Sequence, residues 1–270
     1  MAADFFSDLI EARTSGQPFV VVTVVETEGS VPRHPGAKMV VLADGSIRGT
    51  VGGGKFESLV IVEAQKRLLD GQNLLKKYSL REGESDSFGA ICGGKVTLWF
   101  EPQKKAPGLL IVGAGHCAQS IAKLAAECGF YVTVVDDRKE WMEICPGVHR
   151  KITEQSAQEV IREVRWTGDD AIVLVSRSFM LDRDALEEAV KVKEVGYLGM
   201  IGSRKKVLQV YDELKAKGVK KELLERVYAP IGLDIGSDTP AEIAVSVLAE
   251  ILQVLRKAKG GHLKKLKTDL

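Results

Sequence analysis

Before residue 101, apolar residues occur in strand-like runs separated by a helical pattern. The runs are FVVVTVVET, KMVVLADG and KVTLWF. Among them lies KFESLVIVEAQKRLLDG, in which apolar residues recur at helical spacing until Gly71, a residue type that commonly ends a helix. The opening MAADFFSDLIEARTSG has the pattern of a short amphipathic helix. These patterns predict a small α+β domain.

After residue 108, short apolar runs rich in β-branched residues alternate with helical patterns. The strand-like runs are GLLIVGAG, YVTVVDD, AIVLVS and GYLGMIG, each followed by a helix such as AQSIAKLAAECG or SAQEVIREVRW. This alternation is typical of a doubly wound parallel sheet. The last helix has a predicted start, because Thr239, Pro240 and Glu242 fit the N-cap, N1 and N3 positions of a capping box.

The composition changes at EPQKKAPG, residues 101–108, which contains two prolines, two lysines and a glycine. Segments of this kind commonly join domains. We therefore expect an N-terminal α+β domain over residues 1–104 and a Rossmann-like domain over residues 105–270. The predicted fold class is α/β, with the doubly wound parallel sheet preceded by the smaller domain.

Composition narrows the class of protein. With 45% hydrophobic and 28% charged residues, the 270-residue chain is typical of a globular protein. Its net charge of +1 provides no overall field that would favour nucleic acid or a membrane. No apolar run approaches the roughly 20 residues of a membrane span, and the start lacks a signal-peptide pattern, so we expect a cytoplasmic protein. Cys92, Cys117, Cys128 and Cys145 show no CxxC spacing and are expected to be free thiols.

A dinucleotide-binding fingerprint opens the second domain. In LLIVGAGHCA, a strand leads through Gly113 and Gly115 into a helix, with His116 inside the turn and Ala118 completing a GxGxxA pattern. Asp136 follows about 20 residues later, at the end of the next strand, where an acid commonly accepts from ribose hydroxyls. The pattern predicts a nucleotide or phosphate site, and the alternative is a Rossmann scaffold that binds no nucleotide.

Three further loops follow strands of the predicted sheet and should lie at the same edge, where open α/β sheets bind ligands. Ordinary turn chemistry explains each loop singly, but the set favours a ligand site. The candidate residues are Arg177 in SRSFMLD, Gly202, Ser203 and Arg204 in GMIGSRKK, and Asp234 in APIGLDIGSDTPAE.

The first domain contains a second glycine-rich turn, GTVGGGKFE. Gly52, Gly53 and Gly54 directly precede the predicted helix, so their N–H groups can form a nest for a phosphate or another oxyanion. The alternative is a structural turn with solvated charges. The other candidate ligand-binding residues are Ser30, Arg33 and Lys38 as donors, Glu57 as an acceptor for ring N–H groups, and Cys92 as an exposed thiol.

These motifs together resemble the xanthine dehydrogenase accessory factor family, XdhC/CoxI. The matching strings run from about residue 23 to residue 251 and include TEGSVPRHPGAKMVV, GTVGGGKFE, CGGKV, IVGAGHCA, VVDDR, YLGMIGSRKK and APIGLDIGSDTPAEIAVSVLAEI. The resemblance implies a homodimeric chaperone that binds the molybdenum cofactor (molybdopterin) as cargo. It also implies that the chaperone holds the cofactor during sulfuration by a cysteine desulfurase and inserts it into the apo-form of a molybdenum hydroxylase.

The resemblance also suggests roles for individual residues. The Gly52–Gly54 turn with Arg33 would take the anionic end of the cofactor, Glu57 the pterin edge, and Cys92 molybdenum or a sulfur in transit. The Rossmann edge would hold a phosphate or nucleotide end. Arg177 occupies a loop in which many family members have a histidine, and an arginine there can hold an anion but cannot relay protons near neutral pH.

Without the family resemblance, the residues are also compatible with two other functions. The fingerprint alone would favour an NAD(P)-dependent oxidoreductase, although no acid/base pair such as Tyr-x-x-x-Lys stands out. A regulatory protein that senses a nucleotide is the other alternative. We therefore predict an accessory protein without catalytic residues, with NAD(P) or another nucleotide as a further ligand, and we identify no metal ligands.

Overall fold

The computed structural model describes residues 5–80 and 93–263. The chain forms two compact units, Met1–Ala106 and Pro107–Leu270. The division falls inside the EPQKKAPG segment. Each unit has its own sheet and its own hydrophobic core.

The N-terminal unit is an antiparallel sheet with one helix on each face. The five strands lie in the order β3-β2-β1-β5-β4. Two of them, β3 and β4, were not expected, because β3 has only three residues and β4, LLKKYS, carries two lysines. The elements are α1 (Phe5–Thr14), β1 (Phe19–Glu28), β2 (Lys38–Leu42), β3 (Ile47–Gly49), α2 (Gly54–Asp70), β4 (Leu74–Ser79) and β5 (Lys95–Gln103).

Alternation of side chains along β1 and β2 separates the two faces of this sheet. Val20 and Val22 pack in the cluster that contains Phe56 of α2, whereas Val21 packs in the cluster that contains Ala12 of α1. The helices α1 and α2 therefore cover opposite faces, and the register of each strand decides which helix a side chain meets.

The C-terminal unit is the expected parallel sheet with helices on both faces. Its strand order is β10-β9-β6-β7-β8, and β8, of only three residues, was not expected. The strands are β6 (Gly108–Val112), β7 (Tyr131–Val135), β8 (Arg150–Ile152), β9 (Ala171–Leu174) and β10 (Tyr197–Met200). The helices are α3 (His116–Glu127), α4 (Lys139–Glu143), α5 (Ala157–Glu163), α6 (Phe179–Ala189), α7 (Arg204–Ala216), α8 (Lys221–Leu224) and α9 (Pro240–Leu255).

The order of strands places a crevice between β6 and β9. From β6 the chain continues outward to β7 and β8 on one side, and it then returns to β9 and β10 on the other. Ligands of open α/β sheets bind at such a switch point, outside the carboxyl ends of the strands. The predicted start of α9 is confirmed, with Thr239 and Glu242 forming both bonds of a capping box. None of the helices in the described part of the chain is long and apolar enough to cross a membrane.

We expect Asp170→Ala to lower the free energy of unfolding by about 1–3 kcal/mol, because it removes a buried acceptor that two backbone N–H groups share. The Asp170 carboxylate is buried and accepts from the backbone N–H of Gly108 at 2.7 Å and that of Thr167 at 2.8 Å. Chemical denaturation followed by circular dichroism measures the change. Asp169→Ala, at the exposed neighbouring position, should stay within about 0.5 kcal/mol of the wild type. Equal effects of the two substitutions would contradict this role of Asp170.

Candidate functional site

The three glycines at the start of α2 differ in whether the fold requires them. A Cβ on Gly52 would lie 2.7 Å from the Phe56 ring, so this glycine is needed for packing. Gly54 has φ +58, a conformation that side chains disfavour. Gly53 is the N-cap of α2 with φ −176, which any residue adopts, and a Cβ there would meet no atom of the described residues within 4 Å. The described fold therefore accounts for Gly52 and Gly54 but not for Gly53.

Thr50 organises this turn, a role that the sequence reasoning missed. Its hydroxyl lies 2.6 Å from the Gly52 carbonyl and 2.5 Å from a carboxylate oxygen of Glu57, and it accepts from the Gly52 N–H at 3.2 Å. Glu57 is thus held over the turn, close to the start of α2. The signal was present in the sequence, because a threonine two residues before a glycine run can bond its own turn.

The loop of residues 29–36 lies beside the turn. A Cβ on Gly52 would be 3.3 Å from Pro32, and a Cβ on Gly94 would be 2.3 Å from the carbonyl of Ser30. The structure thus brings the Ser30–Arg33 segment next to the Gly52 turn and to the Gly93-Gly94 pair. Ser30 and Arg33 are exposed, and Arg33 makes no hydrogen bond or ion pair with any residue that the structure describes.

Lys38 does not join this group, contrary to the expectation from sequence. It shares the α1 face of β2 with Val40, and its ammonium donates to the Thr23 hydroxyl at 2.9 Å and lies 5.9 Å from the Phe5 ring. The α2 helix covers the other face. Cys92 lies outside the described residues.

In the Rossmann unit, the two glycines of the fingerprint also differ. Gly113 has φ +110, and a Cβ there would lie 2.7 Å from the carbonyl of Val175 just after β9. Gly115 is the N-cap of α3 with φ −68 and no side-chain cap, and a Cβ there would have no described neighbour within 4 Å. The first glycine permits contact between two strand ends, and the second leaves the start of α3 open. Exposed His116 stands edge-on to Trp141, with 5.2 Å between ring centroids.

Asp136 is bound to its own protein surroundings. Its carboxylate accepts from the Ala114 N–H at 2.8 Å and from Arg138 three times, through the backbone N–H at 3.0 Å and the guanidinium at 2.9 and 2.7 Å. Burial alone would raise the pKa of Asp136, but these hydrogen bonds outweigh it and lower the pKa to about 2. The acid predicted to bind ribose therefore holds the glycine turn against the end of β7.

Arg177 lies at the same edge and pairs with the neighbouring acid. Its guanidinium donates to both carboxylate oxygens of Asp137, at 2.7 and 3.0 Å, and one of its nitrogens lies 3.7 Å from Asp136. The hydrogen bonds from Arg177 lower the pKa of Asp137, so this exposed carboxylate is ionised at neutral pH. A cavity of about 200 Å³ opens beside these residues, lined by Val112, Gly113, Val135, Asp136, Asp137, Ser156, Ala157, Gln158, Ser176 and Leu181.

The start of α7, after β10, is tied to α6, after β9, by an ion pair that the sequence did not reveal. The ammonium of Lys206 lies 2.6 Å from the fully buried carboxylate of Asp182, which also accepts from the N–H of Ser176. Ser203 caps α7 by accepting from the Lys206 N–H at 3.3 Å, so this helix start is less open to an anion than predicted.

The remaining candidates at this edge have little contact with the cavity. Gly202 has φ +157, with the Lys206 side chain packed where a Cβ would stand. Arg204 and Asp234 are exposed. The loop that contains Asp234 is held by Glu250 of α9, whose carboxylate accepts from the Gly232 N–H at 2.9 Å.

Within residues 5–80 and 93–263, no group of three or more His, Cys, Asp or Glu side chains is arranged to hold a metal ion. The described cysteines, Cys117, Cys128 and Cys145, are free. Burial raises the pKa of both the Cys117 and the Cys145 thiols, which disfavours their reactive thiolate forms.

The fold and the crevice define an α/β protein in which a Rossmann-type unit follows a smaller antiparallel-sheet unit. Residues 109–251 match the model of the XdhC Rossmann domain, and residues 12–79 match that of the XdhC and CoxI family. The chain belongs to the XdhC and CoxI family.

Relatives support this assignment. The chain is 34% identical over 97% of its length to YqeB, an uncharacterized protein of Escherichia coli (strain K12), of which it covers 48%. It is 29% identical over 56% of its length to a probable xanthine dehydrogenase component from Bacillus subtilis (strain 168), of which it covers 44%. The chain thus spans about half the length of these two relatives.

A third relative matches over most of both lengths. The molybdenum cofactor insertion chaperone PaoD of Escherichia coli (strain K12) is 27% identical over 91% of this chain and 86% of its own. A crystal structure described as a xanthine dehydrogenase from Bacillus halodurans has the same fold, with a TM-score of 0.52, 20% identity and coverage of 95% of this chain and 97% of that one.

The role of Asp136 generates a pH prediction. Its pKa is about 2 in the folded protein against an ordinary value of 3.8, so its stabilising contribution is complete above the unfolded value and is lost as the pH falls towards 2. We expect Asp136→Asn to lower the free energy of unfolding by about 2 kcal/mol at pH 7, and the difference from wild type to shrink between about pH 5 and pH 2. Urea denaturation across this pH range measures it. A difference that stays constant with pH would argue against the carboxylate as the cause, and exposed Asp234→Asn serves as the control.

Proposed function

We propose that this chain is an accessory protein that binds the molybdenum cofactor and assists its insertion into a molybdenum hydroxylase of the xanthine dehydrogenase type. The family assignment and the similarity to a molybdenum cofactor insertion chaperone support the proposal. On this proposal the chain handles the cofactor as cargo and not as the cofactor of a reaction of its own. The proposal extends to cytoplasmic location, to a homodimer and to a cysteine desulfurase that sulfurates the cofactor while it is held.

Gly53 is the observation that carries the proposal. It opens α2 with extended backbone, no side-chain cap and no neighbour among the described residues that would exclude a Cβ. A glycine that the fold does not require is explained by a ligand that approaches the backbone closely. Free N–H groups at a helix start favour an anion, and the terminal phosphate of molybdopterin is one.

The surroundings of the turn suit the rest of the cofactor. Arg33 is an exposed cation without a protein partner in the described residues, and it can neutralise a phosphate. Glu57 stands over the turn, where a carboxylate accepts from the N–H groups of a pterin ring. In the cofactor, the dithiolene of the pterin holds the molybdenum, so the proposal needs no cluster of protein ligands around the metal.

We expect Gly53→Val to weaken binding of anaerobically prepared molybdenum cofactor at least tenfold, or about 1.4 kcal/mol, while the cooperative melt is kept. Titration of the apo-protein and thermal denaturation measure the two quantities. Gly168→Val is the matched control, because a Cβ at Gly168 would also lie more than 4 Å from every described neighbour. Loss of the fold together with binding would show that Gly53 is structural, and unchanged binding would remove the turn from the site.

A second pair of substitutions tests the charge beside the turn. Arg33→Ala should weaken cofactor binding about tenfold by removing a charge-assisted contact to the phosphate. Lys38→Ala removes the same charge from the sheet face that α1 covers and should leave binding unchanged. Raising the salt concentration should narrow the difference between Arg33→Ala and wild type. Equal losses from both substitutions would indicate a general charge effect and would contradict a phosphate contact by Arg33.

A further inference from the structure

We propose that the Rossmann unit binds a nucleoside diphosphate with a free ribose diol, with the base in the cavity beside β7 and the ribose on Asp137. This inference goes beyond the proposed cargo function, because it concerns a nucleotide that binds in the absence of the molybdenum cofactor. The residue that accepts from the ribose hydroxyls is Asp137, one position after the Asp136 that the fingerprint predicts.

The size of the cavity sets the class of group that it can take. Its volume of about 200 Å³ equals roughly seven water molecules at about 30 Å³ each, and it is below the ~300–1,000 Å³ of sites for larger ligands. It therefore suits a single heterocyclic base. Val112, Val135, Ala157 and Leu181 provide apolar walls, and Gln158 is among the polar lining residues, as in most small-molecule sites.

Hydrogen-bond counting assigns the ribose acceptor. A carboxylate has about four acceptor positions. Asp136 accepts four hydrogen bonds from Ala114 and Arg138, so none of its positions remains for a ribose. From the described residues Asp137 accepts two, both from Arg177, and its side chain is 67% exposed. Two positions therefore remain on Asp137, which lines the same cavity.

The Asp137–Arg177 pair does not prevent this contact. It lies at the surface, and exposed ion pairs contribute little to stability, so ribose hydroxyls can share or replace its hydrogen bonds. A guanidinium at this place also offers positive charge to the phosphates. A phosphate on the 2′ oxygen, in contrast, would face the carboxylate of Asp137, so a free diol should be preferred.

The glycine turn gives the phosphates access to the backbone. Gly113 lines the cavity, and two residues on, Gly115 leaves the start of α3 without a side chain or a side-chain cap. A nucleotide with its base in the cavity and its ribose on Asp137 would continue along this turn. The cavity and the free acceptor positions carry the assignment, and the turn is consistent with it.

The test is calorimetric titration of the full chain with ADP, GDP and CDP, and with NAD⁺ against NADP⁺. We expect saturable binding of at least one diphosphate and tighter binding of NAD⁺ than of NADP⁺ if the base is adenine. A preference for ADP would identify a free adenine nucleotide as the ligand, and a preference for GDP or CDP would favour the nucleotide arm of a larger molecule. The 2′-deoxy form of the preferred diphosphate should bind about tenfold more weakly.

Variants separate Asp137 from its neighbour. Asp137→Asn should weaken the preferred nucleotide about tenfold and remove the penalty of the 2′-deoxy form, with an unchanged melt. Ala157→Phe should fill the cavity and abolish binding. Asp169→Asn, an exposed acid in the loop before β9, makes the same charge change and should bind as wild type.

The proposal is overturned if none of these nucleotides binds at millimolar concentration. It is also overturned if Asp137→Asn keeps both wild-type affinity and the 2′-deoxy penalty. If Ala157→Phe does not fold, the comparison of ribose and deoxyribose in Asp137→Asn decides the question. Titration with molybdenum cofactor is a separate measurement, so failure of the cargo function and failure of the nucleotide site are distinguishable.

Discussion

The four hydrogen bonds to the carboxylate of Asp136 determine the shape of the ligand edge in the Rossmann unit. They join the end of β7 to the glycine turn after β6 through Ala114, and they hold Arg138 against the same acid. Because every acceptor position of Asp136 is used, the role expected of this acid passes to Asp137, which Arg177 reaches from the loop after β9. The ion pair between the buried Asp182 and the partly exposed Lys206 connects the loop after β9 to the segment after β10. Three neighbouring loops are thus positioned by carboxylates.

In both units, the helix at the candidate site begins with an N-cap glycine that the fold does not require. Gly53 before α2 and Gly115 before α3 are both N-caps with no side-chain cap and with backbone angles that other residues adopt. A Cβ added at either position would lie more than 4 Å from any neighbour that the structure describes. In each case a nearby glycine, Gly52 or Gly113, is required by packing instead. A row of glycines therefore contains both structural and ligand-accessible positions, and only the second kind can be substituted without disturbing the fold.

The chemistry available in the two units differs. Around Gly53, the exposed cation Arg33 and the held carboxylate Glu57 suit a ligand with an anionic end and a ring that donates hydrogen bonds. In the Rossmann unit, a small cavity with apolar walls lies next to an exposed acid–arginine pair. The first arrangement supports the proposed role in handling the molybdenum cofactor, and the second supports a nucleotide as a distinct ligand. Family membership is shown by matches in both units.

Features that depend on residues close together in the chain were determined by the sequence itself. The alternation of apolar runs predicts the parallel sheet, and the spacing of Thr239 and Glu242 predicts the capping box of α9, because periodicity and capping act within a few residues. Tertiary structure decided which side chains share a site. Lys38 lies on the α1 face of its sheet, and Asp182 of α6 forms an ion pair with Lys206 of α7. It also decided that Asp136 has no acceptor position left whereas Asp137 does. Three of the hydrogen bonds to Asp136 are local and come from Arg138, but the bond from Ala114 and the pairing of Asp137 with Arg177 depend on how the ends of β6, β7 and β9 meet in space.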